Sequence, residues 1–417
     1  MSLQPCGSND AALSAGACGS AEGGTLVEPS SGPQGVSLGS IFASFLRLGL
    51  TAFGGPAMVA YIRDMAVRKR RWLSEETFKG GVALCQSIPG ATAMQTAAYV
   101  GLRARGPLGA LAAFVGFGLP AFVLMVALSA AYARTYDIGP VVSAFRGLQV
   151  IVVALIANAA LAFGRSSVRN WRDVVLAAGA AVFLALHGAP VIGIAVAAAL
   201  GMVLYRGSEA VAHSSASTAN GASRSPRFAG ALALIAAVGL GMLFFADHRL
   251  FDLSALMIKV DLFAFGGGFA SVPLMLHEVV DVRHWITSKT FVDGIALGQV
   301  TPGPIVITAT FIGYQVAGMA GAIIATVSIF SPSFLMVLVT VPYFDRLQRS
   351  VVFRRALRGV LVSFVGLLLA VTVAFARETS WAVPSAILAV SSFAALRMGV
   401  DIVWVVSVGA LVSIFIL

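Results

Sequence analysis

Two cations stand at the same distance ahead of two glycine breaks. Residues 45–55 read FLRLGLTAFGG and residues 257–267 read MIKVDLFAFGG, so Arg47 and Lys259 each precede a glycine pair, Gly54-Gly55 and Gly266-Gly267, by two helical turns. A second pair of breaks follows: Gln86, Ser87, Pro89 and Gly90 make up one, Gln299, Thr301, Pro302 and Gly303 the other, with Thr92 and Thr308 just beyond. Proline removes an N–H and clashes with the preceding turn, and glycine tolerates backbone that other residues avoid. The expected result is a discontinuous helix whose unpaired N–H groups carry partial positive charge, which suits an anion. Amides and hydroxyls add donors, and Arg47 and Lys259 add charge. Glycine and proline also serve ordinary close packing in apolar helices. Recurrence of both breaks at matched positions favours binding.

One acid, Asp261, sits well inside an apolar run, two residues from Lys259, so the two do not share a helix face. It reads as a coupling group that carries a proton or as the partner of a cation elsewhere; the first half has Gly49 at that place. Arg146 and Arg358 lie near the starts of apolar runs, where a long side chain snorkels to the interface. Five histidines (His187, His213, His248, His277, His284) are scattered without metal-ligand spacing, and His277 and His284 read as solvated loop residues. Cys6, Cys18 and Cys85 form neither a CxxC pair nor a disulfide framework. No metal, no cofactor and no enzyme is expected from this set.

The elements that position these residues form a long internal repeat. Trp72 pairs with Trp285, Phe78 with Phe291, Gly101 with Gly313, Gly106 with Gly318, Pro120 with Pro332 and Arg146-Gly147 with Arg358-Gly359. The unit covers 41–205 and again 253–417, with a Gly/Ser/Ala-rich tail at 1–40 that reads as disordered and a linker at 206–252. The chain is 58% hydrophobic and 11% charged, with mean hydropathy +0.91, against about 25% charged residues in soluble domains. An all-α polytopic membrane protein follows. The net charge of +10 falls in short clusters between apolar runs, the pattern of cytoplasmic loops facing anionic lipid rather than nucleic acid.

Spans of about 20 apolar residues are expected at 41–62, 80–101, 107–132, 140–163, 173–188 and 189–205, then at 253–275, 291–313, 317–343, 356–376, 380–396 and 399–417, with one unmatched span at 228–246. Six crossings, one and six make the halves an inverted repeat, a hallmark of secondary transporters. The basic loop 63–79 against its weakly charged counterpart 275–292 agrees. The cluster Arg346, Arg349, Arg354, Arg355 and Arg358 conflicts: inversion with these spans puts it on the opposite face from the basic loop. Either a segment is re-entrant or the charge rule fails locally.

The FGG segments, the loop ending Arg70-Arg71-Trp72-Leu73, the Gln-x-x-Pro-Gly segments at 86–90 and 299–303 and the doubled architecture resemble the chromate ion transporter family of bacteria, across roughly 41–417. The resemblance implies a multi-pass plasma-membrane exporter of chromate that confers chromate resistance; sulfate as a competitor, the lipid bilayer and a homodimer are further expected partners. The first half departs in having Ala91 where the second has Pro304. Moving one charge across 100 mV is worth about 2.3 kcal/mol, so a dianion leaving a negative interior gains roughly twice that. No Walker-type run is present. Secondary, potential-driven export is the leading expectation, with proton antiport, a sulfate or other oxyanion transporter, and an anion channel as alternatives.

Overall fold

The computed structural model describes residues 36–53, 57–135, 138–206, 225–343 and 350–416. Gly54, Gly55 and Pro56, residues 1–35 of the expected tail, 207–224 of the linker, and Arg346 and Arg349 lie outside the described residues. The first half runs α1 (Leu38–Thr51), α2 (Ala57–Arg63, continued by a π-helical turn Asp64–Lys69), α3 (Glu75–Ser87), α4 (Thr92–Thr135), α5 (Gly139–Ser167), α6 (Trp171–Ala185) and α7 (Pro190–Leu204). After α8 (Ser225–Ala246) the order repeats as α9 (His248–Phe263), α10 (Ser271–Leu276, continued by a π-helical turn His277–Val282), α11 (Ser288–Val300), α12 (Thr308–Thr340), α13 (Val351–Glu378), α14 (Val383–Arg397) and α15 (Ile402–Ile416). The repetition extends to the caps. Ser74 Oγ accepts from Thr77 N before α3, as Thr287 Oγ1 accepts from Thr290 N before α11, each satisfying an N–H that a helix start leaves unpaired.

Five stretches, carried by α4, α5, α8, α12 and α13, are long and apolar enough to cross a bilayer. The four breaks are where the structure differs from the expected spans. In α4, Arg105 and Gly106 leave helical geometry, and the chain doubles back so tightly that a Cβ on Gly101 would lie 2.2 Å from the Gly109 carbonyl oxygen. Ala317 and Gly318 do the same in α12. The short first arm of α4 also lies back along α3: the Tyr99 ring covers Gly81, and its hydroxyl donates to the Thr77 carbonyl at 3.2 Å. In the second half Phe311 covers Gly294 and Thr308 covers Gly298. Pro89-Gly90 and Pro302-Gly303 are therefore the tips of helical hairpins.

The Gly266-Gly267 pair marks a tip as well, and α1 ends just before the other pair. α1 runs parallel to the long arm of α4, Gly116 against Phe42 and Gly49 against Phe117 and Pro120, and so ends at mid-depth. The chain then returns: Phe45 stacks on Trp72, and in the second half Lys259 pairs with Glu278 across the α9–α10 hairpin. α1 and α3, with 14 and 13 residues, are about 20 Å long at 1.5 Å per residue, short of the ~30 Å hydrocarbon thickness. The segments expected at 41–62, 80–101, 253–275 and 291–313 thus enter and leave on one face. A Gly-Pro break permits continuation or reversal; the packing of Tyr99 on Gly81 and Phe311 on Gly294 selects reversal.

α5 gives the relative sense of the halves. Phe163, near its C-terminus, shares a cavity with Arg63 and Glu75 beside the basic loop, whereas Arg146 and Gln149, near its N-terminus, share another with Lys289 beside the counterpart loop. Equivalent loops lie at opposite ends of one helix, so the repeat is inverted. Re-entrance also removes the charge conflict. Arg358, near the start of α13, pairs with Asp173 at the start of α6, the end of the molecule that holds the basic loop. The described arginines of the second cluster and the loop 63–79 therefore share a face. The halves are interlocked as well, with α5 packed by α14 and α15 and α13 packed by α6 and α7. Gly147 against Ser413 in one clasp matches Gly359 against Gly201 in the other.

Candidate functional site

The described ends of the broken helices meet at mid-depth from both faces, and they are bonded crosswise. Gly90 N donates to Ala264 O of the second half at 2.9 Å, and Gly303 N donates to Ala52 O of the first at 3.2 Å. Each Pro-Gly tip docks on the C-terminal end of the other half's first helix, α9 or α1. Gly90 and Gly303 have φ of 116° and 125°, backbone open to glycine and strained for other residues.

Asp261 sits beneath the first crossing. It is buried and accepts from Ser333 N at 2.7 Å and Ser333 Oγ at 2.9 Å, while Ser333 Oγ accepts from Ala91 N at 2.9 Å. This acid is tied through Ser333 to the tip of the other half rather than to a cation. Gln95 Nε2 donates to the Pro89 carbonyl at 2.5 Å and braces the same tip. Beside the second crossing Gln299 is buried with Nε2 unpartnered, and Thr301 Oγ1 donates to Gly298 O at 3.0 Å. A buried N–H without an acceptor is costly, so Gln299 is a donor ready for one.

A cavity of about 620 Å³ reaches the tips from the face of the basic loop. Arg63, Glu75 and Lys79 surround its mouth, Gln86 and Thr92 line it from the first half, and Gly266, Gly267 and Pro304 close it from the second. Arg63 pairs with Glu75 at 2.6 Å and Lys79 reaches the same oxygen at 3.5 Å. The hydrogen bond from Arg63 holds the Glu75 carboxyl below the usual carboxylate range. Two cations sharing one carboxylate leave the mouth net positive, which concentrates anions. The volume gives room for a hydrated oxyanion. Its inner end offers the Thr92 hydroxyl and the start of α4, where N–H groups point at the ligand.

The other residues singled out by sequence lie as follows. Arg47 is exposed on the flank of α1 without a side-chain partner among the described residues. Lys259, at the equivalent place, is neutralised by Glu278, which Arg283 also binds. Neither lines the cavity; its cations, Arg63 and Lys79, come from a loop that sequence treated as a topology signal. Ser87 donates back to Ala83 O at 2.7 Å. Arg358, expected to snorkel, pairs with buried Asp173 at 3.0 Å and lies 4.2 Å over the Tyr205 ring. His277, expected to be solvated, is buried 3.7 Å from Asp281. Sequence also passed over Asp293, fully buried near the start of an expected span. The repeat carried a signal for it, because the first half has Gly80 there.

A sequence profile described as Chromate transporter matches the chain twice, at residues 39–202 and 251–414. An uncharacterized transporter of Methanocaldococcus jannaschii is 44% identical over 91% of this chain and 94% of its own length. Chromate transport proteins of Pseudomonas aeruginosa and Cupriavidus metallidurans are 35% and 31% identical, covering 87% and 84% of this chain and 87% and 86% of their own. No solved structure matches.

Proposed function

We propose, since the chain belongs to the chromate transporter family, that it exports chromate across the bacterial plasma membrane by a secondary mechanism and so confers chromate resistance. The observation that carries this reading is the crossing of the tips, Gly90 N to Ala264 O and Gly303 N to Ala52 O. Each crossing joins a hairpin from one face to a hairpin from the other, so releasing one crossing opens a path toward one face while the second keeps the other closed. Such exchange is the minimum that alternating access needs.

Direction and driving force come from the charge pattern. Arg63, Arg68, Lys69, Arg70 and Arg71 share a face with Arg354, Arg355 and Arg358, and lysine and arginine concentrate on cytoplasmic loops. The cavity then opens to the cytoplasm and loads chromate from inside. A dianion passing outward gains roughly 4.6 kcal/mol per 100 mV. The ligand set centres on Gln86, Thr92, Gly266 and Gly267, with Gln299 and Thr301 completing it on release; Arg47 and Lys259 stand outside the cavity in this state. The test is flux of labelled chromate into inside-out vesicles, with sulfate as competitor and with membrane potential and pH gradient collapsed separately. Saturable uptake that falls when the potential is collapsed is expected. Flux that never saturates would indicate a channel, and equal inhibition by sulfate a broader oxyanion carrier.

A further inference from the structure

A second polar centre lies away from the crossed tips. Asp293, on α11, is fully buried; its Oδ2 accepts from the Tyr132 hydroxyl of α4 at 2.9 Å and its Oδ1 from the Gln149 amide of α5 at 2.7 Å. A second-half carboxylate is thus held by two first-half side chains, both neutral. Gln149 also lines a cavity of about 510 Å³ with Arg146, Lys289 and Glu378, at the end of α5 remote from the basic loop. One side chain separates the carboxylate from that cavity.

The repeat shows that this acid is not part of the shared scaffold. Gly80 takes its place in the first half, as Gly49 takes the place of Asp261. Among the described residues the acids buried at the helix hairpins of the core, Asp261, Glu278 and Asp293, all belong to the second half, and of these Glu278 is neutralised by Lys259 and Arg283. A tie between α11, α4 and α5 needs no ionisable group, because an amide accepts and donates as well. A carboxylate buried among neutral donors is costly when ionised. Its use is that it can take up and release a proton.

We infer that Asp293, with Tyr132 and Gln149, is a proton-binding site of the transport cycle, loaded from the cavity bounded by Arg146, Lys289 and Glu378; this rests on the transport reading above. The proton comes from cavity water, adds to one carboxylate oxygen and returns to water, and no other bond forms or breaks. Gln149 serves both states, since its amide turned over presents a carbonyl to the new O–H. The titratable and charged groups around Asp293 are Tyr132 on α4, Arg146 on α5, Lys289 on α11 itself and Glu378 on α13; α15 and residues 305–313 bring none. The connection to the tips is direct. α11 runs from Asp293 to Gln299, and Phe311, just past the tip, packs on the Tyr132 ring at 5.2 Å. A change in the bonds at Asp293 therefore acts on the hairpin that makes the Gly303–Ala52 crossing.

The test begins with infrared difference spectra of reconstituted full-length protein, which report a protonated carboxyl without any substrate. A carboxyl band that titrates with pH, is absent from Asp293→Asn and is retained by Asp261→Asn is expected. In chromate flux, whatever rate Asp293→Asn retains should no longer respond to an imposed pH gradient. A band unchanged in Asp293→Asn, or a wild-type response of that variant to the gradient, overturns the inference. Should Asp293→Asn not fold, Tyr132→Phe keeps the acid and the ring packing: a moved titration midpoint supports the site and an unmoved one refutes it. If the band behaves as expected but the wild type carries no chromate, the substrate assignment fails and the proton site stands.

Discussion

Replacing Gly90 by alanine puts the crossed-tip geometry at risk. The new Cβ would stand 2.1 Å from Ser333 Oγ, 2.8 Å from Gln95 Nε2 and 3.2 Å from Asp261 Oδ1. If the tip stays docked, it bears backbone strain of about 1–3 kcal/mol at a φ of 116°, and overpacking adds about 1–3 kcal/mol. If the tip withdraws instead, it loses the bonds from Gly90 N to Ala264 and from Ala91 N to Ser333, about 1 kcal/mol each, and leaves buried groups unpaired. The first route comes to about 2–6 kcal/mol and the second to at least about 2 kcal/mol, so the docked population falls at least about 30-fold at 1.4 kcal/mol per tenfold. Gly106→Ala is the control: nothing lies within 4 Å of the new Cβ, so it bears backbone strain alone, about 1–3 kcal/mol at a φ of 68° and a ψ of −161°, without overpacking and at a turn remote from the crossing. Chromate flux in inside-out vesicles, normalised to folded protein, should fall at least 30-fold for Gly90→Ala and far less for Gly106→Ala. Equal flux from the two variants would refute the claim that the crossing matters.

Single cysteines at positions 70 and 354 in a cysteine-free background should react with an impermeant reagent from one face, and a cysteine at 283 from the other; opposite-face labelling of 70 and 354 rules out re-entrance. Arg63→Ala or Lys79→Ala should raise the apparent KM for chromate several-fold with little change in kcat, and the defect should shrink with added salt. A salt-independent loss would mean that the mouth cations do not steer the anion. Asp173→Ala, which strands Arg358 against Tyr205, should destabilise the protein by about 3 kcal/mol, with partial recovery in Asp173→Ala/Arg358→Met; thermal unfolding in detergent measures both.

The two-half architecture was legible because Trp72 and Trp285, Gly106 and Gly318, and the two Pro-Gly pairs keep their spacing, and the glycines of the last two sets now have matched structural roles. The course of the chain at each break was not. Pro89-Gly90 is compatible with a straight interrupted helix and with a reversal, since the local backbone chemistry is the same; what decides is Tyr99 lying on Gly81, a contact between separate helices. The arginines of 354–358 carried part of the answer, because their conflict with the expected topology left re-entrance as one of two resolutions. For the site, sequence ranked Arg47 and Lys259 by depth along a helix, but depth does not reveal which flank faces a cavity. Asp293 escaped for a related reason: it lies near the start of an apolar run, and its burial comes from α4 and α5, which close over it.

The reciprocal clasp has a consequence for how the protein is made. α5 enters the bilayer early, yet the helices that cover it, α14 and α15, leave the ribosome about two hundred residues later, roughly 10–40 s at 5–20 residues per second. For that interval the Gly147 flank of α5, shaped for Ser413, is solvated by lipid alone. The newborn first half is an open receptor for the second, and a chain stalled in this window would display an unfilled groove that membrane quality control can recognise.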